Sequence, residues 1–128
     1  MTQTELIEAV TSALTGAGFT LTGSNPQPLA TEKPVTVGYQ WGQPAGNARY
    51  ATVYTDRITL TVEAPTVASQ TDAAVDALLI QQRGLIETAM MASAALKAAA
   101  IRLEGFTPPT RGRARRATAV IYSVRRFA

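Results

Sequence analysis

A length of 128 residues, with 46% hydrophobic and 16% charged residues, predicts one compact domain over residues 1–128 and excludes a wholly disordered chain. The net charge of +3 comes from ten arginines and two lysines against nine acidic residues, and the absence of cysteine and histidine excludes disulfides, soft metal sites and an imidazole base. No run of about 18 apolar residues occurs and the N-terminus lacks the plan of a secretory signal, so we expect a cytoplasmic origin and no membrane contact.

The first predicted element is an amphipathic helix at the N-terminus. Thr2 and Glu5 form the T-x-x-E pattern of a capping box, and apolar residues then recur at helical spacing. The helix is expected to stop near Gly16 and Gly18, because glycine tolerates the left-handed backbone that closes a helix. Residues 19–21 predict a short extended piece, and the proline-rich stretch after it predicts an irregular surface connection.

Two alternating segments in the middle of the chain predict an antiparallel hairpin. Residues 35–41 place valines and aromatic residues on one face, and residues 50–63 alternate over a longer run that Pro65 ends. Asp56 interrupts the apolar face of the second strand, and its opposite face is polar, as expected at solvent or at a subunit contact.

Residues 72–103 contain no proline and predict a helical spine rich in alanine and leucine. Unbroken, this helix would be about 48 Å long at 1.5 Å per residue, so we expect a break at Gly84 or within residues 92–95. Arg102 and Gly105 mark its predicted end. The small residues beside Met90 and Met91 allow another helix or sheet to approach closely.

The C-terminal part predicts a break over residues 104–109, then a basic segment over residues 111–116, and a final strand from residue 117. The fold class is therefore α+β, with helices packed on one face of a small antiparallel or mixed β-sheet. The predicted order is helix, strand, strand, helix or helices, strand.

The residue types indicate no catalytic site and no cofactor. The carboxylates are scattered, and the glycines form neither a phosphate-binding loop nor a dinucleotide fingerprint. Asp72 and Asp76 are four residues apart on one helical face, which is typical of first-turn acids that complement the helix dipole and less typical of a carboxylate pair. We therefore expect that the protein is not an enzyme.

The arginine-rich run RGRARR has three interpretations that the sequence leaves open. It is a solvated loop, a protein contact or a nucleic-acid contact, because clustered arginines neutralise phosphates. The aromatic residues lie at alternating strand positions, where a place in the core is favoured over base stacking. Exposed sheet edges in so small a sheet favour oligomerisation.

The order and length of these elements resemble the tail terminator proteins of long-tailed bacteriophages, the lambda-type minor tail family. The resemblance rests on TELIEAV, on the hairpin VTVGYQWG to YATVYTDRITLTVEAP, on LKAAAIRLEGF and on the closing strand ATAVIYSV. It spans almost the whole chain. It implies a virion structural protein without a reaction, which forms a homo-oligomeric ring, typically a hexamer, on the end of the tail tube.

The resemblance also implies the partners and the places of contact. Such a ring ends polymerisation of the tube protein, meets head–tail connector or neck proteins at head–tail joining, and lies around DNA that passes through its lumen. Its location would be the virion tail or neck, after assembly in the host cytoplasm. The candidate contact residues are Arg49, Arg111, Arg113, Arg115 and Arg116. The alternatives are a connector or other tail-completion protein, and a small nucleic-acid-binding module that uses the C-terminal arginines.

Overall fold

A computed structural model describes residues 2–21, 33–42, 53–65, 71–112 and 115–127. The elements in chain order are α1 (Gln3–Gly16), β1 (Phe19–Leu21), β2 (Lys33–Gln40), β3 (Val53–Pro65), α2 (Asp72–Ala92), α3 (Ala94–Ala98), β4 (Arg102–Gly112) and β5 (Arg115–Phe127). The α+β class is confirmed. The predicted order is also right in outline, with two further strands, β1 and β4, added to it.

The strands form one mixed five-stranded sheet in the order β1-β2-β3-β5-β4. β1 runs parallel to β2, whereas β2–β3, β3–β5 and β4–β5 are antiparallel. The predicted hairpin of β2 and β3 is confirmed. The pairing of β3 with β5 extends over both full strands, from Val53 opposite Phe127 to Pro65 opposite Arg115, and joins the two halves of the chain.

The prediction that residues 104–109 break the regular structure is wrong. They belong to β4, an edge strand whose register against β5 shifts between Leu103 and Gly105 and again between Thr107 and Thr110. The second irregularity contains Pro108 and Pro109. Proline lacks a backbone donor, and sheets accept it at edges and bulges, which is where these prolines lie.

The N-terminal helix is capped as predicted. The Thr2 hydroxyl accepts a hydrogen bond from the Glu5 backbone N–H at 3.2 Å, and a Glu5 carboxylate oxygen accepts one from the Thr2 backbone N–H at 3.3 Å. The chain leaves the helix through Gly18, whose φ of 88° suits glycine. The next three residues form β1.

The predicted break of the helical spine lies at Ser93, inside the second of the two proposed places. Ser93 ends α2 with an extended ψ of 118°, and its hydroxyl accepts from the Leu96 backbone N–H to cap α3. Gly84 stays within α2. The predicted helix end at Arg102 is wrong, because α3 ends at Ala98 and the chain turns through Ala100, at φ 56°, into β4.

The helices and the sheet form two layers, and each layer buries the side that faces the other. In β3 and β5 the even-numbered residues face α1 and α2, and the odd-numbered ones lie on the opposite face, so the alternation predicted for β3 is confirmed. The core combines three sets of buried side chains: Leu6, Val10 and Leu14 from α1; Val75, Leu79, Ile86, Met90 and Leu96 from α2 and α3; and Val35, Ile58, Leu60, Val62, Val120, Tyr122 and Val124 from the sheet.

Asp56 interrupts the apolar face of β3 and is fully buried. Its carboxylate accepts a hydrogen bond from the backbone N–H of Gly42 at 2.8 Å. A Cβ at Gly42 would collide with the backbone of Thr55. The buried carboxylate and the glycine therefore fix together how the chain leaves β2, because a buried charge requires such hydrogen bonds.

Replacement of Tyr122 by phenylalanine tests the packing of the core. The Tyr122 side chain is fully buried, and its hydroxyl has no hydrogen-bond partner among the described residues. Burial, with a smaller effect of the Glu87 charge, raises the pKa of Tyr122 to about 12. We expect Tyr122→Phe to leave the free energy of unfolding at neutral pH unchanged or to raise it by about 1 kcal/mol.

The sign of the pH dependence follows from the same pKa. Above about pH 10 the unfolded tyrosine loses its proton while the folded one keeps it, so stability falls as pH rises from about 10 to 12. Urea unfolding at neutral pH and near pH 11 measures this loss, which we expect to be smaller in Tyr122→Phe than in wild type or in the control Tyr54→Phe. An equal alkaline loss in all three proteins would contradict the prediction.

Candidate functional site

The arginine-rich segment forms the end of the β4–β5 hairpin. Arg111 pairs with Arg116 and Gly112 with Arg115 across the two strands, so the segment is largely strand rather than a loop. Arg49 and Arg113 lie outside the described residues, and for Arg111 and Arg115 the structure describes the backbone alone. Arg116 is therefore the one predicted contact residue whose side chain is described.

Arg116 is paired within the chain. Its guanidinium makes a two-pronged contact with Asp76, in which Nε donates to Oδ1 and Nη2 donates to Oδ2 at 2.9 Å, and Nη1 lies 3.6 Å from Asp72. The hydrogen bond to Asp76 raises the pKa of Arg116, and the charges of both aspartates add to that rise. Asp72 and Asp76 are thus the counter-ions that fasten the first turns of α2 to β5, a use that their spacing alone did not indicate.

A second arginine fastens the middle of α2 to the same two strands. Arg83 donates to the hydroxyl of Thr118 at 3.2 Å and to the carbonyl of Thr107 at 3.5 Å, and its guanidinium lies 4.3 Å from the ring centre of Phe106. The Thr118 hydroxyl in turn donates to the Thr107 carbonyl at 2.6 Å. Arg83 and Arg116 together hold the helix layer over β5 and β4.

No described element covers the sheet face opposite the helices, and we call it the open face. Strand pairing aligns its residues in rows across β2, β3, β5 and β4. Its middle row is Gly38, Thr59, Ile121 and Gly105, and the next row towards one end of the strands is Gln40, Arg57, Ser123 and Arg102. In the middle row Thr59 and Ile121 stand on the two central strands, and the glycines on β2 and β4 leave both ends of the row without a side chain.

Three arginines gather at one end of the open face, and we call them the arginine cluster. Arg57 and Arg102 both pair with Ser123, from opposite sides, and Arg125 follows two residues later opposite Thr55. Among the described residues, these three side chains make no ion pair or hydrogen bond. The acid beside them is Glu104, which accepts from the Ser123 hydroxyl.

The arginine cluster lines two adjoining clefts. One cleft of about 270 Å³ is lined by Arg102, Arg125, Glu104 and Ser123 among others, and one of about 340 Å³ by Arg57, Gln40 and Trp41 among others. Thr55 lines both. Strand spacing of about 4.8 Å puts the backbones of Arg57 and Arg102 about 10 Å apart, within the joint reach of two long side chains around one partner group.

Sequence reasoning did not single out this cluster. Alternation in β3 places Arg57 on the polar face, whereas the helical pattern of the spine marks Arg102 as the end of a helix. Only the order of the strands brings the three together, because β3 and β4 meet β5 from opposite sides.

Comparisons with known proteins give no family for this chain, and the described residues give no candidate metal site or membrane-spanning helix. No protein-family model matches the chain, and no curated protein matches it at a significant level. Within the described residues there is no group of three or more acidic side chains placed to hold a metal ion. None of the described helices combines the length and apolar character that a membrane span requires.

Separate loss of Arg116 and Asp76 tests the attachment of α2 to β5. We expect Arg116→Met and Asp76→Asn each to lower the urea concentration at the midpoint of unfolding, because each leaves its partner without its counter-charge. The double variant is expected to lose less than the sum of the two single losses, as coupled residues do. Fully additive losses would contradict the pairing. Lys97→Met, which removes an exposed cation from α3, is the matched control.

Proposed function

We propose that this chain is a tail terminator of a long-tailed bacteriophage. In this proposal it is a structural protein without a reaction of its own, which forms a homo-oligomeric ring, of six subunits by analogy with the family it resembles. The ring caps the tail tube, ends polymerisation of the tube protein and offers the surface to which head–tail connector or neck proteins bind. Its place is the virion tail or neck, after assembly in the host cytoplasm.

The observation that carries the proposal is the open face of the sheet, over which the structure describes no helix or strand. A sheet of five strands with helices on one side has its second side and its edges available to other subunits. Ile121 and Ala119 lie on that side among threonines, and most of its residues are at least half-buried in the single chain. A surface with an uncharged, partly buried middle and charges gathered at one end supports a role in assembly.

The two edges of the sheet support the same role. β1 covers only the first residues of β2, as far as Val35, so the rest of β2 has no neighbour on that side among the described residues. β4 forms the other edge, with Leu103 40% and Phe106 44% exposed beside α2. Exposed apolar side chains at a sheet edge favour contacts between subunits.

The solution mass of the purified protein across a concentration series tests the ring. We expect sedimentation or native mass spectrometry to show a closed oligomer, and negative-stain images to show a ring of six subunits. Added to polymerising tube protein, the ring is expected to shorten the tubes and to lie at their ends. A strict monomer both alone and with tube protein would contradict the proposal. Binding to connector proteins without any effect on tubes would support a connector instead.

A small nucleic-acid-binding module is the second candidate, favoured by the arginines that β4 and β5 bring to one hairpin end. This candidate predicts that isolated protein binds single-stranded DNA with an affinity that falls steeply as salt rises. Arg111→Ala, Arg113→Ala and Arg115→Ala together would then lower that affinity by about tenfold or more. Arg116 is left unchanged, because it holds α2. Fluorescence anisotropy measures the binding, and a ring that forms normally with no DNA affinity would exclude this candidate.

A further inference from the structure

Within the part of the chain that the structure describes, the side chains of the arginine cluster have no hydrogen-bond or ion-pair partner. Arg57, Arg102 and Arg125 lie around the same two clefts, and the one acid among them, Glu104, is engaged by Ser123. Three positive charges against one negative charge need counter-charges when the face is covered, because burying an unpaired charge is costly. Whatever covers this end of the open face therefore carries acidic groups.

Helix α1 presents such acidic groups on its outer side. Its sequence, QTELIEAVTSALTG, contains Glu5 and Glu8 and no lysine or arginine. With Leu6, Val10 and Leu14 buried, the exposed residues Glu5, Glu8, Ser12 and Thr15 lie on the opposite side of the helix. The side chain of Glu8 makes no hydrogen bond or ion pair among the described residues.

The dimensions of the two surfaces also permit the contact. α1 has 14 residues and is about 21 Å long, while four strands of the sheet span about 14 Å. Gly38 and Gly105 carry no side chain on the open face, and the outer side of α1 carries short side chains at Ser12 and Thr15. A helix laid along the strands, with its N-terminal half towards the arginine cluster, brings Glu5 and Glu8 to the end where the arginines lie.

We propose that the open face binds helix α1 of a second copy of this chain, with Arg57, Arg102 and Arg125 of one copy facing Glu5 and Glu8 of the next. The contact rests on the proposed ring and specifies how its subunits meet. It is head-to-tail, since each copy offers one helix and one open face, and such contacts generate rings when the rotation closes. Each sheet then lies between two layers of helices.

A second copy fits this face better than nucleic acid does. The centre of the face is neutral and contains Ile121, and Glu104 would repel phosphate within the cluster. The ring of Trp41 is stacked on Tyr39, with centroids 5.2 Å apart, and so is already engaged. Arginine without lysine around an apolar centre is typical of protein–protein contacts.

Charge reversal on each surface tests the contact. The face variant carries Arg57→Glu and Arg125→Glu, and the helix variant carries Glu8→Arg and Ser12→Arg, which leaves the Thr2–Glu5 capping box intact. We expect each variant alone to need at least about tenfold more protein than wild type for half-assembly, because like charges now face each other. An equimolar mixture of the two is expected to assemble as wild type does, since each altered surface then meets an opposite charge.

A control variant, a folding check and a milder face variant accompany the charge reversals. Lys97→Glu reverses an exposed charge on α3 and is expected to assemble as wild type does. Far-UV circular dichroism checks that the variants fold, and Arg57→Gln with Arg125→Gln is the milder face variant, expected to weaken assembly less. Sedimentation measures all of them, and assembly of wild type is expected to weaken as salt rises.

The outcomes separate this inference from the proposed ring. Folded variants that assemble like wild type, or a mixture that does not recover, would overturn the α1 contact and leave the ring standing. A wild-type monomer with and without tube protein would overturn both. A face variant that assembles normally but loses affinity for single-stranded DNA would also overturn the inference, in favour of nucleic acid as the occupant.

Discussion

The antiparallel pairing of β3 with β5 is the constraint on which the rest of this structure depends. The two strands are 13 residues long each, paired from end to end, and they come from different halves of the chain. Their shared register places every even-numbered residue on one face, and a shift by one residue would turn all of them to the other side. The core under α1 and α2 exists because this register holds.

That register also decides where charges lie. Thr118 comes to the helix side, where Arg83 binds it, and Arg116 comes opposite the first turns of α2, where Asp76 and Asp72 bind it. Each side chain that fastens the helix layer therefore uses a position fixed by strand pairing. The same register turns Arg57 and Arg125 to the open face, where Glu104 is the acid that the described residues place beside them.

A sheet covered on one side connects the fold to the proposed function. The core buries the apolar residues of one face, while the other face combines an uncharged middle row with arginines at one end that have no ion pair among the described residues. A monomer would leave those arginines to solvent, whereas a subunit of a ring would use them for contact. The acidic outer side of α1 is a surface of the same chain with the opposite charge, so assembly requires no other component to neutralise it.

The sequence by itself determined much of the local structure: the capping box of Thr2 and Glu5, the alternation in β3 and the α+β class. It also offered residues 92–95 as one of two places for the break of the helical spine, which lies at Ser93. Each depends on neighbours close in the chain, where spacing and residue type act directly. Only the tertiary structure decided that residues 102–112 form a strand, because an edge position and two register shifts accommodate Pro108 and Pro109. It also decided that Arg116 is an internal partner of Asp76 and that three other arginines form one cluster. These residues meet because of the order of the strands in the sheet, and spacing along the chain does not encode that order.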